Sequence, residues 1–452
     1  MQDSKVGVYV HIPFCERVCP YCDFAVIAAP ELSAAQETRY VDALLRELAS
    51  RSAAYQAPDA ANPGPVAVHP GPAAADHAPA AANPGPAAAH PAPAAVHPAP
   101  AAAHPAPAAA TDGLGAKGRS LASIYLGGGT PSLLTPESIG RIIEAIRATF
   151  PSDGPIEITL EVNPSTLERA RLPGFREVGV NRVSVGVQSF DDAVLKRLGR
   201  AHRVDEAHQT LDACRAAGFQ VISLDLIFAA PSQRPEGVAS DLDHALEFGP
   251  DHLSTYELTI ESGTPFALAA SRGQLSLPDE DEAIEMMETI GARLRADGFV
   301  RYEISNFARP GFQAIHNRRY WERQPVLGIG VGAFSTEPPS AAAPFGARRS
   351  NVRDLRTYLD RIAQRLPPAA GPTEIFDVET ARGEAAFLSL RGSRGLLAAE
   401  FESEFGQPPR VFFGPAIDRL LEGELLDEDG SGDLRLSARG RLLADSVFAE
   451  FV

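Results

Sequence analysis

Three cysteines stand within eight residues near the start of the chain, in Cys15-Glu-Arg-Val-Cys19-Pro-Tyr-Cys22, a C-x3-C-x2-C spacing. Three thiolates in so short a loop can hold three irons of a cubane and leave the fourth iron open. A structural zinc would need a fourth protein donor, for which His11, Asp23 and the distant Cys214 are the candidates. On spacing alone an iron–sulfur cluster and a zinc both stand. Cys214 falls in a predicted helix and reads as a small buried hydrophobe, and His11 as a hydrogen-bonding residue beside the loop. Further on, Gly127, Gly128 and Gly129 follow a predicted strand; without side chains they let a ligand approach the backbone, and Thr130 adds a hydroxyl. The same turn needs glycine on steric grounds alone. Glu161, Gln188 and Asp225 each fall at or near a predicted strand end, on the rim expected to face the cysteine loop, where they offer acceptors.

Strands are predicted over residues 6–12, 123–126, 156–161, 182–187, 220–227 and 252–258. Helices are predicted over 35–52, 136–150, 167–178, 205–217, 238–248 and 280–297. Six β-then-α units imply a parallel sheet with right-handed crossovers, as an open sheet or a partial barrel. In such folds the loop after the first strand lies at the end where active sites gather. Helices near 352–364, 378–390 and 415–421, a hairpin around Glu424 and Leu434, and a final helix over 438–451 read as a small winged-helix-like domain.

Residues 57–110 include 14 prolines and, as charges, only Asp59 and Asp76. Seven successive seven-residue units fill 62–110, with proline too frequent for a helix to propagate. A solvated, partly polyproline-II linker is the reading, with its five histidines (His69, His77, His90, His97, His104) a product of composition. The organisation is therefore a first barrel segment with the cysteine loop over 1–56, the insertion over 57–110, the rest of the barrel over 111–336 and a helical domain over 350–452.

The chain has 452 residues and a formal charge of −17, which opposes attraction to nucleic acid phosphates or anionic lipid. No apolar run reaches bilayer length and no secretory leader is read, so the cytoplasm is the expected compartment.

The cysteine spacing resembles that of the radical S-adenosylmethionine (SAM) superfamily. Within it, Tyr9-Val-His-Ile-Pro-Phe-Cys15, Gly127-Gly-Gly-Thr-Pro-Ser132, Glu161-Val-Asn-Pro164, Gly179-Val-Asn-Arg-Val-Ser-Val-Gly-Val-Gln-Ser-Phe190 and Asp225-Leu-Ile are similar to the oxygen-independent coproporphyrinogen III oxidase-like family. The matches run from about residue 6 to 335, skipping the insertion. The resemblance implies an α/β fold built as a partial (β/α)6 barrel, a [4Fe-4S] cluster on Cys15, Cys19 and Cys22, and SAM at the open iron. It places Tyr9, Tyr21, Gly128, Gly129, Thr130, Glu161, Gln188, Arg200 and Asp225 at SAM-contacting positions. On its own surroundings Arg200 reads as a surface cation at a helix end.

Two departures separate branches. The oxidase motif continues to a fourth cysteine two positions after the third, where this chain has Phe24, and the oxidase carries an N-terminal extension for which Cys15 stands too early. Both features resemble the branch of heme chaperones, which bind heme and deliver it to respiratory hemoproteins; a membrane-associated recipient is compatible with a chain that has no span of its own. His316-Asn317-Arg-Arg-Tyr320-Trp321 matches that branch's HNxxYW heme motif, in which imidazole suits heme iron and the aromatic rings suit the macrocycle. A satisfied core histidine and a core tryptophan are the alternative. Ala229-Ala230 stands where glycine is common, and Phe334 where histidine is usual. Coproporphyrinogen III oxidation, by radical decarboxylation of propionates, and a non-redox interaction protein with a zinc knot are the competing functions. If 57–110 is a linker, deleting residues 62–110 leaves the thermal midpoint and the reconstituted iron content within error of the parent.

Overall fold

The computed structural model of the chain describes residues 5–56 and 119–452. The Pro/Ala/His-rich tract, with the histidines named above, lies outside them. β1 (Lys5–Ile12), β2 (Ser120–Gly128), β3 (Glu157–Val162), β4 (Arg182–Gln188), β5 (Val221–Phe228) and β6 (His252–Glu257) lie side by side in chain order, all parallel. Between and after them run α1 (Ala34–Arg51), α2 (Pro136–Thr149), α3 (Thr166–Glu177), α4 (Asp192–Arg197), α5 (Val204–Ala216), α6 (Pro235–Phe248) and α7 (Glu280–Ala296). The local reasons are ordinary. Ser33 and Gln36 form a capping box on α1, Asp279 and Glu282 another on α7, and Thr135 caps α2 ahead of Pro136.

Strand parity organises everything else. Parallel sheets usually bury apolar side chains on both faces. Here Val6, Val8, Val10, Ile124, Leu126, Ile158, Leu160, Val183, Val185, Leu224 and Leu253 fill one face and pack with the helices. The alternate positions, among them Ser123, Thr159, Arg182, Ser184, Ser223, His252 and Ser254, are polar and also buried. The sheet therefore has an apolar back and a polar front.

The six-strand expectation needs extension. Among the described residues the main sheet has twelve strands and is mixed. β7 (Asn306–Ala308) runs antiparallel to β6, and after α8 (Ile315–Trp321) comes β8 (Val326–Ile329), parallel to β1 on its other side. β9 (Phe334–Glu337) and β10 (Ala347–Ser350) continue antiparallel, and Glu374–Ile375 and Val300–Arg301 form the two edges. No hydrogen bonding between those edges closes a barrel among the described residues. α9 (Leu355–Ala363) places Tyr358 and Ile362 in the main core.

A second core starts at Phe376. It holds α10 (Val378–Arg391), α11 (Ala398–Phe405), α12 (Pro409–Glu422), the hairpin β11 (Leu426–Glu428) with β12 (Leu434–Leu436), α13 (Ala438–Leu442) and α14 (Ala444–Phe448). Two expectations are corrected here. The helix expected at 415–421 begins at Pro409, because proline suits a first helical position and a kink at Phe413 accommodates Pro415. The final helix expected over 438–451 is broken at Leu443, the C-cap of α13 and N-cap of α14, whose ψ is 31°.

Glu47, 0% exposed, joins α1 to the end of β8 and to α9. It accepts from Arg51 Nη1 at 2.9 Å, Asn351 Nδ2 at 2.7 Å, the Gly330 amide at 2.8 Å and the Tyr358 hydroxyl at 2.8 Å. Removing one partner of a buried ion pair strands the other. Glu47→Ala is expected to lower the unfolding free energy by about 3 kcal/mol, read from the denaturant midpoint; a loss under about 1 kcal/mol would contradict the structural role.

Candidate functional site

The loop after β1 is clamped from several directions. Phe14–Cys15 pairs with Ile27–Ala28, and the amides of Gly129 and Thr130 donate to the carbonyls of Ile12 and Phe14, each at 2.8 Å. Phe266 N donates to Pro20 O at 3.0 Å, and Arg353 donates to the Asp23 carbonyl. Cys15, Cys19 and Cys22 are all partly exposed within this frame. Burial pushes the Cys15 thiol up to about 11, against a hydrogen bond from Thr130 that lowers it, and burial raises Cys22 as well. Both stay protonated until a cation replaces the proton. Cys214 is fully buried on α5, its thiol pushed up to about 12 by burial, and packs in the main core.

On the polar front, His11 Nε2 donates to the Ala25 carbonyl at 3.0 Å, so Nδ1 of the neutral ring accepts from the Tyr9 (β1) hydroxyl at 3.0 Å. Burial lowers His11 to about 4, so the ring is neutral. Gly128, at φ +107, faces that ring so closely that a Cβ would come within 2.5 Å of it, which is why this position takes glycine. Gly127 and Gly128 end β2 itself and do not lie beyond it. Glu161 (β3) accepts from the Tyr125 hydroxyl at 2.8 Å and the Gly128 amide at 3.0 Å. Burial raises Glu161 to about 7 despite these bonds. Asp225 sits in the middle of β5, not at its end, accepts from Ser184 Oγ at 3.0 Å, and is raised by burial to about 6. Gln188 closes β4 in a left-handed conformation, φ 67, beyond an irregularity in strand register. Non-glycine residues hold such a conformation at a cost of about 1–2 kcal/mol.

Arg200 follows α4 and points back under the loop. Its Nη1 lies 3.8 Å from Cys19 Sγ, and its Nη2 donates to Asn163 Oδ1 at 2.6 Å and Gly186 O at 3.0 Å. The Tyr21 ring packs against Phe266, with centroids 6.2 Å apart. Tyr21 is on the loop, Gly128, Gly129, Thr130, Glu161 and Gln188 are at or just past strand ends, Arg200 reaches Cys19 from beyond α4, and Tyr9 and Asp225 lie within β1 and β5. Two residues were not given a role from the sequence. Tyr125 could have been found from its parity with Ser123, opposite Ile124 and Leu126; Asn163 falls inside the Glu161-Val-Asn-Pro164 match, which gave it no task of its own.

The surroundings suit a cluster with a ligand at its open corner. Arg200 Nε is buried with no partner among the described residues, a donor left for a ligand. A Cβ on Gly129 would stand 2.8 Å from the Ile12 and Phe14 carbonyls and 3.0 Å from Cys15 Sγ. No three His, Cys, Asp or Glu side chains among the described residues close on a point as one metal ion requires; a cubane asks for wider spacing, with one iron per thiolate.

The HNxxYW segment is α8, lying across the polar front near the starts of β1 to β3. Glu157 accepts from its first two amides, at 3.0 and 2.9 Å. His316 is 1% exposed, with Nδ1 2.9 Å from Ser123 Oγ and Nε2 3.2 Å from the Tyr320 hydroxyl. It stacks on Tyr125 with centroids 5.2 Å apart, and burial lowers it to about 3. Asn317 is half-buried, and Trp321 turns to the second core, where the Arg391 guanidinium lies 4.4 Å above its ring. The fold thus brings His316 and Tyr320 together and sends Trp321 elsewhere.

A radical SAM superfamily profile matches residues 109–245, and a HemN C-terminal domain profile matches 377–443. Over its length the chain is similar to proteins named heme chaperone HemW. Identity is 30% to that of Mycobacterium tuberculosis over 448 residues, 99% of this chain and 95% of the relative. It is 29% to that of Bacillus subtilis over 447 residues, 99% of each. Coproporphyrinogen III oxidase HemN from Escherichia coli, a radical SAM enzyme, has the same fold, with a TM-score of 0.73 at 22% identity over 99% of this chain and 90% of that one.

A carboxyl raised from 4.5 to about 7 binds its proton more tightly in the folded chain than in the unfolded one. Its stabilisation is complete below about pH 4.5 and is lost as pH rises through about 7. Glu161→Gln does not titrate, so its stability relative to the parent should rise by on the order of 1 kcal/mol between about pH 5 and pH 8. Parallel stability curves for the two proteins would show that Glu161 is not perturbed.

Proposed function

This chain belongs to the heme chaperone branch of the radical SAM superfamily, the family of the HemW proteins, and on that premise we propose that it carries a [4Fe-4S] cluster and SAM, binds heme, and hands the heme to a hemoprotein. The observation that carries the reading is the clamped trio Cys15, Cys19 and Cys22, with exposed Phe24 where a fourth cysteine would stand. The family implies the cluster and SAM. When bound, the cluster supplies an electron at its open iron.

The chain's own residues have separable tasks in this reading. Gly128 and Gly129 let SAM approach the backbone, Glu161 and Asp225 accept from its hydroxyl and amino groups, and Arg200 holds its carboxylate, with Tyr9, Tyr21, Thr130 and Gln188 completing the contacts. His316 is neutral, the form that ligates iron. Because both its nitrogens are engaged, taking heme requires Tyr320 or Ser123 to let go. Asn317, Tyr320 and Trp321 are the remaining motif residues. No helix among the described residues is long and apolar enough to cross a membrane; the recipient hemoprotein of this reading is membrane-associated or free. The gathered SAM positions favour coproporphyrinogen oxidation as the second reading.

Anaerobic reconstitution separates these. The chaperone reading expects roughly four irons and matching sulfide per chain, heme binding that His316→Ala weakens about tenfold or more, and no protoporphyrinogen IX from coproporphyrinogen III with SAM and reductant. Zinc without iron would establish the zinc knot, conversion of the porphyrinogen would establish the oxidase, and cluster-loaded protein without heme binding would end the chaperone assignment.

A further inference from the structure

β4 ends in a turn that few side chains tolerate. Ser189 N donates to Val187 O at 2.9 Å across Gln188, whose φ is 67; a three-residue turn with a positive middle φ is rare because it is strained. The turn sends the Gln188 carboxamide back over Gly186. A Cβ there would stand 2.9 Å from Gln188 Nε2, 3.1 Å from Asn163 Oδ1 and 3.4 Å from Arg200 Nη2. Gln188 is thereby set beside the guanidinium that reaches Cys19.

Such strain persists only where the surroundings impose it. Asp241, 5% exposed on α6, receives the two residues that follow Gln188: Phe190 N donates to its Oδ1 at 2.6 Å and Ser189 Oγ to its Oδ2 at 2.9 Å. Oδ2 also accepts from Gln233 Nε2 at 3.3 Å, and Gln233 Oε1 accepts from Ala230 N at 3.0 Å. Ala230 to Gln233 is the turn after β5, closed by Gln233 N donating to Ala230 O at 2.9 Å, with Pro231 second and Ser232, at φ 58, third. One buried carboxylate thus fastens together the turns that end β4 and β5.

We propose that Asp241 is a positioning residue for SAM: its carboxylate holds the strained turn that aims the Gln188 carboxamide at the ligand beside Arg200. The inference rests on the reading that the chain binds SAM with Gln188 among its contacts. Asp241 is not itself placed against SAM and acts through Ser189 and Phe190.

A double-mutant cycle on the full chain tests this. Each protein is reconstituted anaerobically, iron and sulfide are assayed, and SAM affinity is measured by equilibrium dialysis. Gln188→Ala should weaken SAM about tenfold, the worth of one good hydrogen bond. Asp241→Ala should weaken it about fivefold at unchanged iron content, as loss of a supporting partner does. Asp241→Asn should bind within about twofold of the parent, because its oxygen still accepts from Phe190 N and the Ser189 hydroxyl can turn to accept from its NH2 group. In the Gln188→Ala background Asp241→Ala should cost nothing further, since the side chain it aims is gone. A general loosening of the fold would lower affinity by the same factor in both backgrounds, and that result would overturn the proposal. Equal losses for Asp241→Asn and Asp241→Ala would overturn it too, because charge and not the grip on the turn would then matter. An iron-loaded parent that binds no SAM overturns the SAM reading together with this one, whereas a parent that binds SAM and is indifferent to Asp241→Ala overturns this one only. Should Asp241→Ala fail to fold, Ser189→Ala takes its place in the cycle: the same loss with and without Gln188 sinks the proposal.

Discussion

A polar side chain removed from water is costly unless it finds a partner, and the parallel strands of this protein turn many of their alternate residues into that predicament. Ser184 answers Asp225, Tyr125 answers Glu161, Ser123 answers His316, and Ser223 answers His252 at 2.7 Å. Each pairing links neighbouring strands or a strand to α8, so the polar front is a network whose members hold one another in place. The cysteine loop is fastened to the top of this network by His11 and by the Gly128–Thr130 turn. A ligand site arises where the network runs out of internal partners, and Arg200 Nε marks such a place.

Much of this was legible in the residues. The six parallel strands, their helices and the cysteine loop have periods and spacings long enough to read. The strands β7 to β10 have three or four residues each, too few for alternation to register. α11 was missed although Gly406 ends it in a left-handed cap, and α12 was truncated because Pro415 looks like a start when it sits inside a kinked helix. Asp225 was read as at or near a strand end; with the strand observed at Val221–Phe228 and not 220–227, it stands one residue further inside. Asn163 stood inside the Glu161-Val-Asn-Pro164 match, but its partners Arg200 and Thr130 are 37 and 33 residues away in the chain, so nothing local could pair them.

Departures from the family pattern also acquire a physical sense. Ala229, where glycine is common, has a φ of 56, the region in which glycine is free of strain and alanine is not. Phe334, where histidine is usual, is 55% exposed at the start of β9, so no buried partner is left unsatisfied by the change. Phe24 stands outward at 68% exposure. His316 behaves in the opposite manner: the residue the motif singles out as a ligand is among the most thoroughly enclosed in the chain.

α8 touches the polar front at one end and α10 at the other. Its histidine end is stacked against Tyr125 on the polar front, and five residues later, about 7.5 Å along the axis, its tryptophan end bears Arg391, which also pairs with buried Glu303 at 3.2 Å. A helix of two turns is a stiff rod. The ring stack at one end and the guanidinium contact at the other are therefore held at a fixed separation by one short piece of backbone.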